Sequence, residues 1–419
     1  MNKEIDKTLE INFERLKKDI EDLSEIGRNQ DDFGINRMAF SDADMEARRW
    51  LQQRIQDAGL ASSMDGAGNV FAMLDDKRPS APSILLGSHT DTVPCAGHLD
   101  GSLGVLCALE SLRRIKEENI QTHYPVEVVS FSDEEGRFGG LFGSQALCGE
   151  ITPESIHNAT DLNGVRRADE MKRQGLDPME ALQARRPPDS IHAYLELHIE
   201  QGPVLDSMMT PIGIVSEITG LFTWRVHLKG SADHAGTTPM DMRKDAFNGL
   251  AEFAGEIHRI LEEHGSEHSV ATIGKVSLSP GTTNTVPGDV EFSFDVRDVS
   301  QTILESLSDA FRRTLSAIAR RRQLMFEFEI ISEVSPVPCD KQIVVILSQI
   351  ADKMDLQYHL MPSGAAHDAQ IMAHITKVGM VFVPSRGGKS HSPAEWTHWE
   401  DIKTGANLFL NSTINLTVK

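Results

Sequence analysis

The chain has 419 residues, 40% hydrophobic and 25% charged, the balance of a folded globular protein rather than a disordered or fibrous one. That length exceeds one typical domain and predicts two. The net charge of −21 argues against a polyanionic partner such as nucleic acid, and no apolar run reaches the roughly 18 residues that would span a membrane.

The opening stretch, MNKEIDKTLEINFERLKKDIEDLSEIG, mixes acids and bases at helical spacing and has no apolar signal core. Further on, SILLGSHTDTV reads as a buried strand running into a loop. GVLCALESLRRIKEEN follows as a helix, with Val105, Leu106, Leu109, Leu112 and Ile115 on one face. PVEVVSFSDEEG is a second strand ending in an acidic, glycine-terminated loop, and AYLELHIEQG alternates Ala193, Leu195, Leu197 and Ile199. Strands separated by helices predict a mostly parallel sheet covered on both faces, and such sheets bind ligands beyond the carboxyl ends of their strands.

From about Ile212 the pattern changes. FTWRVHLKG and DVEFSFDVRD alternate as half-buried strands. Ala246, Phe247, Leu250, Phe253, Ala254, Ile257, Ile260 and Leu261 mark a helix between them, and Ile303, Leu304, Leu307, Phe311, Leu315 and Ile318 mark another after them. This predicts an α+β unit over 212–329, inserted into a discontinuous α/β domain of 1–211 and 330–419. In that outer domain MVFVPSRGGKSHSP is the last strand and loop. The four cysteines, Cys95, Cys107, Cys148 and Cys339, form no C-x-x-C pair. They fit a reducing, cytoplasmic compartment better than a zinc knuckle or a disulfide framework.

Residues bearing oxygen and imidazole gather at the ends of these strands: His89, Asp91, Asp100, Asp133, Glu134, Glu135, His198, Glu200 and His391. Any one of them alone reads as an ordinary loop or turn residue. Together, in glycine-rich loops at one edge of a parallel sheet, so many acids would repel one another unless a cation lay among them. Neutral imidazole with carboxylate suits zinc, manganese, cobalt or nickel, and a carboxylate can bridge two ions.

The series GSHTDTV…GHLDGSLGVL, SFSDEEGRFGGLFGS, LELHIEQGPVLD, SADHAGTTPMDMRKDA, PGTTNTVPGDVEFSFDVRD, PSGAAHDAQ and PSRGGKSHSPAEWT resembles the hydantoinase/carbamoylase branch of the M20 metallopeptidase-like amidohydrolases. The motifs fall in that family's order from about residue 10 onward. The resemblance implies a di-metal phosphorylase/hydrolase-like catalytic domain, with the insert as a ferredoxin-like dimerisation or lid domain. It implies two divalent ions, one held by His89, Asp100 and His198, the other by Asp100 as bridge, Glu135 and His391. Asp91 would orient His89 by accepting from its distal nitrogen, and Glu134 would be the general base. The Glu134–Glu135 pair would split its roles because neighbouring side chains on an extended backbone diverge.

His234 would then donate to the developing oxyanion across a homodimer interface built by the insert. Arg297 with Asn284 would grip a substrate carboxylate, while Gln201 and His367 would contact the ureido or carboxylate groups. Family members read GAGHDA where this chain reads GAAHDA, so Ala366 narrows the approach of substrate to the backbone or forbids a positive φ. The implied activity is hydrolysis of an N-carbamoyl-L-amino acid to the amino acid, ammonia and carbon dioxide, with a small ureido-carboxylate as substrate. The competing readings are allantoate amidohydrolase and β-ureidopropionase. Dipeptidase and aminoacylase relatives carry a carboxylate where this chain has His198, which counts against them. A non-catalytic relative would be expected to have lost the base or a ligand, and none of those positions is changed here.

Overall fold

In the computed structural model the described residues are 8–74 and 81–418, so residues 1–7 of the expected N-terminal helical stretch fall outside them. The chain divides into two compact units that meet at Ser216/Glu217 and at Pro338/Cys339.

The first unit is organised by a sheet in which Ala61–Met64, Val70–Met73, Val126–Phe131, Ser83–His89, Ile191–Ile199, Lys377–Val383 and Ile212–Ile218 lie side by side in that order. Its middle is parallel: Ser83–His89 pairs with Val126–Phe131 and with Ile191–Ile199, and Ile191–Ile199 pairs with Lys377–Val383. The antiparallel hairpin 61–73 closes one side, and Ile212–Ile218 runs antiparallel to Lys377–Val383 on the other. Ile84, Leu86, Val126, Val128, Leu195, Leu197 and Val381 are buried against the helices Ser102–Glu117 and Trp399–Val418. Burial on both faces is why these strands read as apolar runs.

Ile191–Ile199 departs from its period-two reading. All but one of its residues are buried, and Tyr194, Glu196 and His198 occupy the face that alternation alone would leave to solvent. That polar face belongs to the site described below. The helix Ser102–Glu117 starts from Gly101, whose φ is +60°. A Cβ there would overlap the His89 imidazole, so both dihedral and space call for glycine at this strand-to-helix turn.

The second unit runs Gly220–Lys229, Ala246–His264, Val270–Ser279, Asp289–Asp298, Gln301–Arg321, Met325–Val334, a β-α-β-β-α-β order. Its strands lie in the order Met325–Val334, Gly220–Lys229, Asp289–Asp298, Val270–Ser279, the ferredoxin-like arrangement. Phe222, Trp224, Val226 and Leu228 with Val290, Phe292, Phe294 and Val296 are buried against Leu250, Phe253, Leu307, Phe311 and Leu315. Asp245 and Ser300 cap the two helices through their side chains. The seams lie later than the expected 211/212 and 329/330. Ile212–Ile218 still pairs with Lys377–Val383, and Met325–Val334 completes the four-stranded sheet.

Candidate metal centre

The loops beyond the carboxyl ends of the parallel strands bring one carboxylate, Asp100, between three imidazoles. Its Oδ1 is 3.5 Å from His89 Nε2 and 3.2 Å from His198 Nε2, while its Oδ2 is 3.5 Å from His391 Nε2. Two groups that could each hold a cation therefore share it: His89, Asp100 and His198, and Asp100, Glu135 and His391. His89 Nδ1 donates to the Asp91 carbonyl at 3.1 Å and His198 Nδ1 donates to the Ile199 carbonyl at 2.8 Å. With Nδ1 carrying the hydrogen, Nε2 of both rings faces Asp100, the tautomer a metal ligand requires.

Glu134 and Glu135 diverge as expected but by a different device. The backbone turns at Asp133 (φ +52°) and Gly136 (φ +84°) rather than running on extended. Glu134 Oε2 then lies 3.5 Å from His89 Nε2, whereas Glu135 Oε2 lies 3.3 Å from His391 Nε2. The Asp91 carboxylate accepts from the backbone N–H groups of Glu134 and Glu135, at 3.3 and 3.2 Å. This corrects the expected role of Asp91. Its carbonyl orients His89, while its carboxylate, 3.9 Å from that ring, fixes the acidic turn.

The electrostatics agree with a site made for positive charge. Burial, then Asp368, Glu135 and Asp91, push the Glu134 carboxyl well above the usual range against the pull of His89. Burial disfavours a charged His89, yet Glu134, Asp100, Asp91 and Glu135 hold its imidazolium well above the ordinary value. For His391, hydrogen bonds to Asp100 and Glu135 raise the value to about 10. Glu135 Oε1 and Gln201 Oε1 are buried with no hydrogen-bond partner, an arrangement that a bound cation and its ligands would relieve. The donor set thus fits divalent ions that accept imidazole and carboxylate.

Other expected residues divide. Gln201 joins the centre, its Nε2 donating to Asp100 Oδ2 at 2.6 Å. His367 is buried, with Nε2 2.9 Å from Ser363 Oγ and its ring edge-on to His198 at 4.6 Å. It packs behind the centre, in reach of Glu196 and His198. Ala366 stands outside the positive-φ region, so the expected dihedral conflict does not arise. Two acids from the strand-end series serve structure instead: Asp133 lies 3.4 Å from Arg167 Nε, and Glu200 accepts from the N–H groups of Val204 and Leu205.

In the second unit His234 is exposed. Its Nδ1 accepts from the N–H groups of Gly236 and Thr237, which places the ring hydrogen on Nε2 and makes that atom a donor. Asn284 adjoins it: its carbonyl accepts from Ala235 N–H, and Thr285 bridges to His234. Arg297 sits elsewhere. It pairs with Leu221 and Val270, whereas Asp289, nearest Asn284, pairs with Lys229 and Ser279. Eight residues of strand separate Asp289 from Arg297, about 26 Å, so Asn284 precedes one end of this strand and Arg297 stands near the other. The cause is chain direction, since motifs close in sequence stand at opposite ends of one strand.

Several residues at the centre escaped sequence reasoning. Glu196 accepts from Ser88, Tyr194 and the Ala369 N–H. It lies two residues before His198 on a period-two strand, so same-face spacing could have found it. Asp368 is buried, and its charge acts on Glu134 and Glu196. Ser390 and Glu395 reach the Asp100 loop from some 290 residues away, with no local signal.

Residues 85–414 match the model of peptidase family M20/M25/M40. The N-carbamoyl-L-amino-acid amidohydrolase of Pseudomonas sp. (strain NS671) is 38% identical over 97% of this chain and 99% of its own. The allantoate amidohydrolase of Escherichia coli is 34% identical over 89% and 90%. The crystal structure of a hydantoinase/carbamoylase family amidase from Burkholderia multivorans superposes with a TM-score of 0.88 at 31% identity, covering 98% of this chain and 99% of that one. The chain belongs to peptidase family M20/M25/M40, in its hydantoinase/carbamoylase branch.

Proposed function

We propose that this chain hydrolyses the ureido group of an N-carbamoyl-L-amino acid, giving the L-amino acid, ammonia and carbon dioxide. The observation that carries the chemistry is the sharing of Asp100 between two cation-holding groups with Glu134 against one of them. Similarity to an N-carbamoyl-L-amino-acid amidohydrolase over 97% of the chain supports the substrate class. His89, Asp100 and His198 would hold one divalent ion and Asp100, Glu135 and His391 the other, with zinc, manganese, cobalt and nickel all compatible. Bound there, such ions acidify water and polarise a carbonyl oxygen.

Glu134 takes a proton from water as its oxygen adds to the ureido carbonyl carbon, and gives that proton to the nitrogen that leaves as the C–N bond breaks. The carbamic acid formed then loses carbon dioxide. His234 Nε2–H is suited to donate to the carbonyl oxygen as it gains charge, and Arg297 is suited to a bidentate grip on the substrate carboxylate. We further propose a homodimer built through the inserted unit, with His234 and Asn284 supplied to the partner's metal-bearing unit. The four free cysteines accord with a cytoplasmic setting.

Similarity to the Escherichia coli allantoate amidohydrolase favours allantoate as the second reading. Ammonia release from N-carbamoyl-L-amino acids, N-carbamoyl-β-alanine and allantoate, compared as kcat/KM, separates them. The proposal expects the N-carbamoyl-L-amino acids to lead. Preference for allantoate by tenfold or more would replace it with the second reading.

A further inference from the structure

We propose that Glu395 is a positioning residue that locks the Asp100 loop to the His391 loop, and so sets the geometry in which Asp100 is shared. The inference rests on the metal-centre reading above. Glu395 is buried, and its Oε1 accepts from two consecutive backbone N–H groups, Leu99 at 2.8 Å and Asp100 at 3.1 Å. Ser390 Oγ lies 3.1 Å from its Oε2 and 2.7 Å from Asp100 Oδ2, so one hydroxyl hydrogen is shared between the two carboxylates. Ser390 immediately precedes His391, and Glu395 follows four residues later. One carboxylate therefore grips the backbone of Asp100 directly and, through Ser390, its side chain.

A second observation points the same way. A Cβ on Gly97 would overlap the Glu395 side chain. The loop GHLD is thus shaped to admit this carboxylate. Without Glu395, two buried N–H groups would be left without their acceptor, which costs stability because buried donors must be paired. The loop would then no longer hold Asp100 beside His198 and His391 through these two hydrogen bonds. Partners at this remove typically change metal affinity by about 10–100-fold when removed.

The test is Zn2+ affinity of the metal-stripped protein, measured by competition with a chromophoric chelator, together with hydrogen exchange at the Leu99 and Asp100 amides. Glu395→Ala is expected to bind Zn2+ about 10–100-fold more weakly and to exchange both amides faster. Glu395→Gln keeps a carbonyl oxygen for the two N–H groups and a donor for Ser390 Oγ, so it should stay within about threefold of wild type. Ser390→Ala should weaken Zn2+ about tenfold while leaving the amides protected. Wild-type affinity in Glu395→Ala, or equal losses in the Ala and Gln variants, would overturn the inference. If Glu395→Ala does not fold, Ser390→Ala decides, and unchanged affinity there overturns it. A wild-type chain that takes up none of Zn2+, Mn2+, Co2+ and Ni2+ refutes the metal reading itself, and this inference with it.

Discussion

Replacing Glu134 with glutamine separates the base from the metal ligands. The two side chains are nearly isosteric, and the Asp91 carboxylate holds position 134 through its backbone N–H, which the substitution leaves in place. Glu134 faces His89 Nε2 at 3.5 Å but belongs to neither of the two cation-holding groups. Metal content should therefore persist while proton transfer is lost. General acid–base catalysis contributes about 10²–10⁴-fold, and at 1.36 kcal/mol per decade this raises the barrier by roughly 3–5 kcal/mol. The assay is steady-state ammonia release alongside metal analysis of the same samples. Glu135→Gln provides the contrast, since it removes a carboxylate 3.3 Å from His391 and should lower metal content. Turnover of Glu134→Gln within tenfold of wild type, or loss of metal from it with retention in Glu135→Gln, would refute the assignment.

Asp100→Ala should bind fewer than two divalent ions per chain by elemental analysis, because one carboxylate faces both histidine groups. Arg15 Nε lies 2.7 Å from the buried Glu110 carboxylate, which keeps the Asn12 N–H and Arg113 as partners, so Arg15→Ala should lower stability in denaturant unfolding by about 1.5–3 kcal/mol, the range for hydrogen bonds to a charged group. Mixing His234→Ala with Glu134→Gln chains, each nearly inactive, should restore about a quarter of wild-type activity if His234 acts across a two-fold dimer; mixtures that stay inactive after confirmed subunit exchange would place His234 elsewhere.

Much of the centre was legible because its chemistry is written into strand-end loops. A strand such as Ile84–Leu86 announces itself by apolar continuity, and the polar residues that follow must then lie at one edge of the sheet. Loop residues do not announce their direction, however. Asp133 and Glu200 share the composition of their neighbours yet turn to Arg167 and to a short helix. The distinction between the carbonyl and the carboxylate of Asp91 depends on a turn set at Asp133, which no spacing encodes. Asn284 and Arg297 are 13 positions apart in the sequence, and only the register of Asp289–Asp298 against Gly220–Lys229 reveals that a whole strand separates them. Glu395 was invisible for the opposite reason, since its partners Leu99 and Asp100 are distant in sequence and adjacent in space.

The most direct measurement strips the protein with a chelator, then titrates manganese, cobalt or zinc back while following release of ammonia and free amino acid from an N-carbamoyl-L-amino acid. The account predicts negligible release from the stripped chain and recovery on reloading, with ammonia and L-amino acid appearing in equal amounts and the D-isomer left intact. Undiminished release from protein shown to be metal-free, or no release from fully reloaded protein, would contradict it.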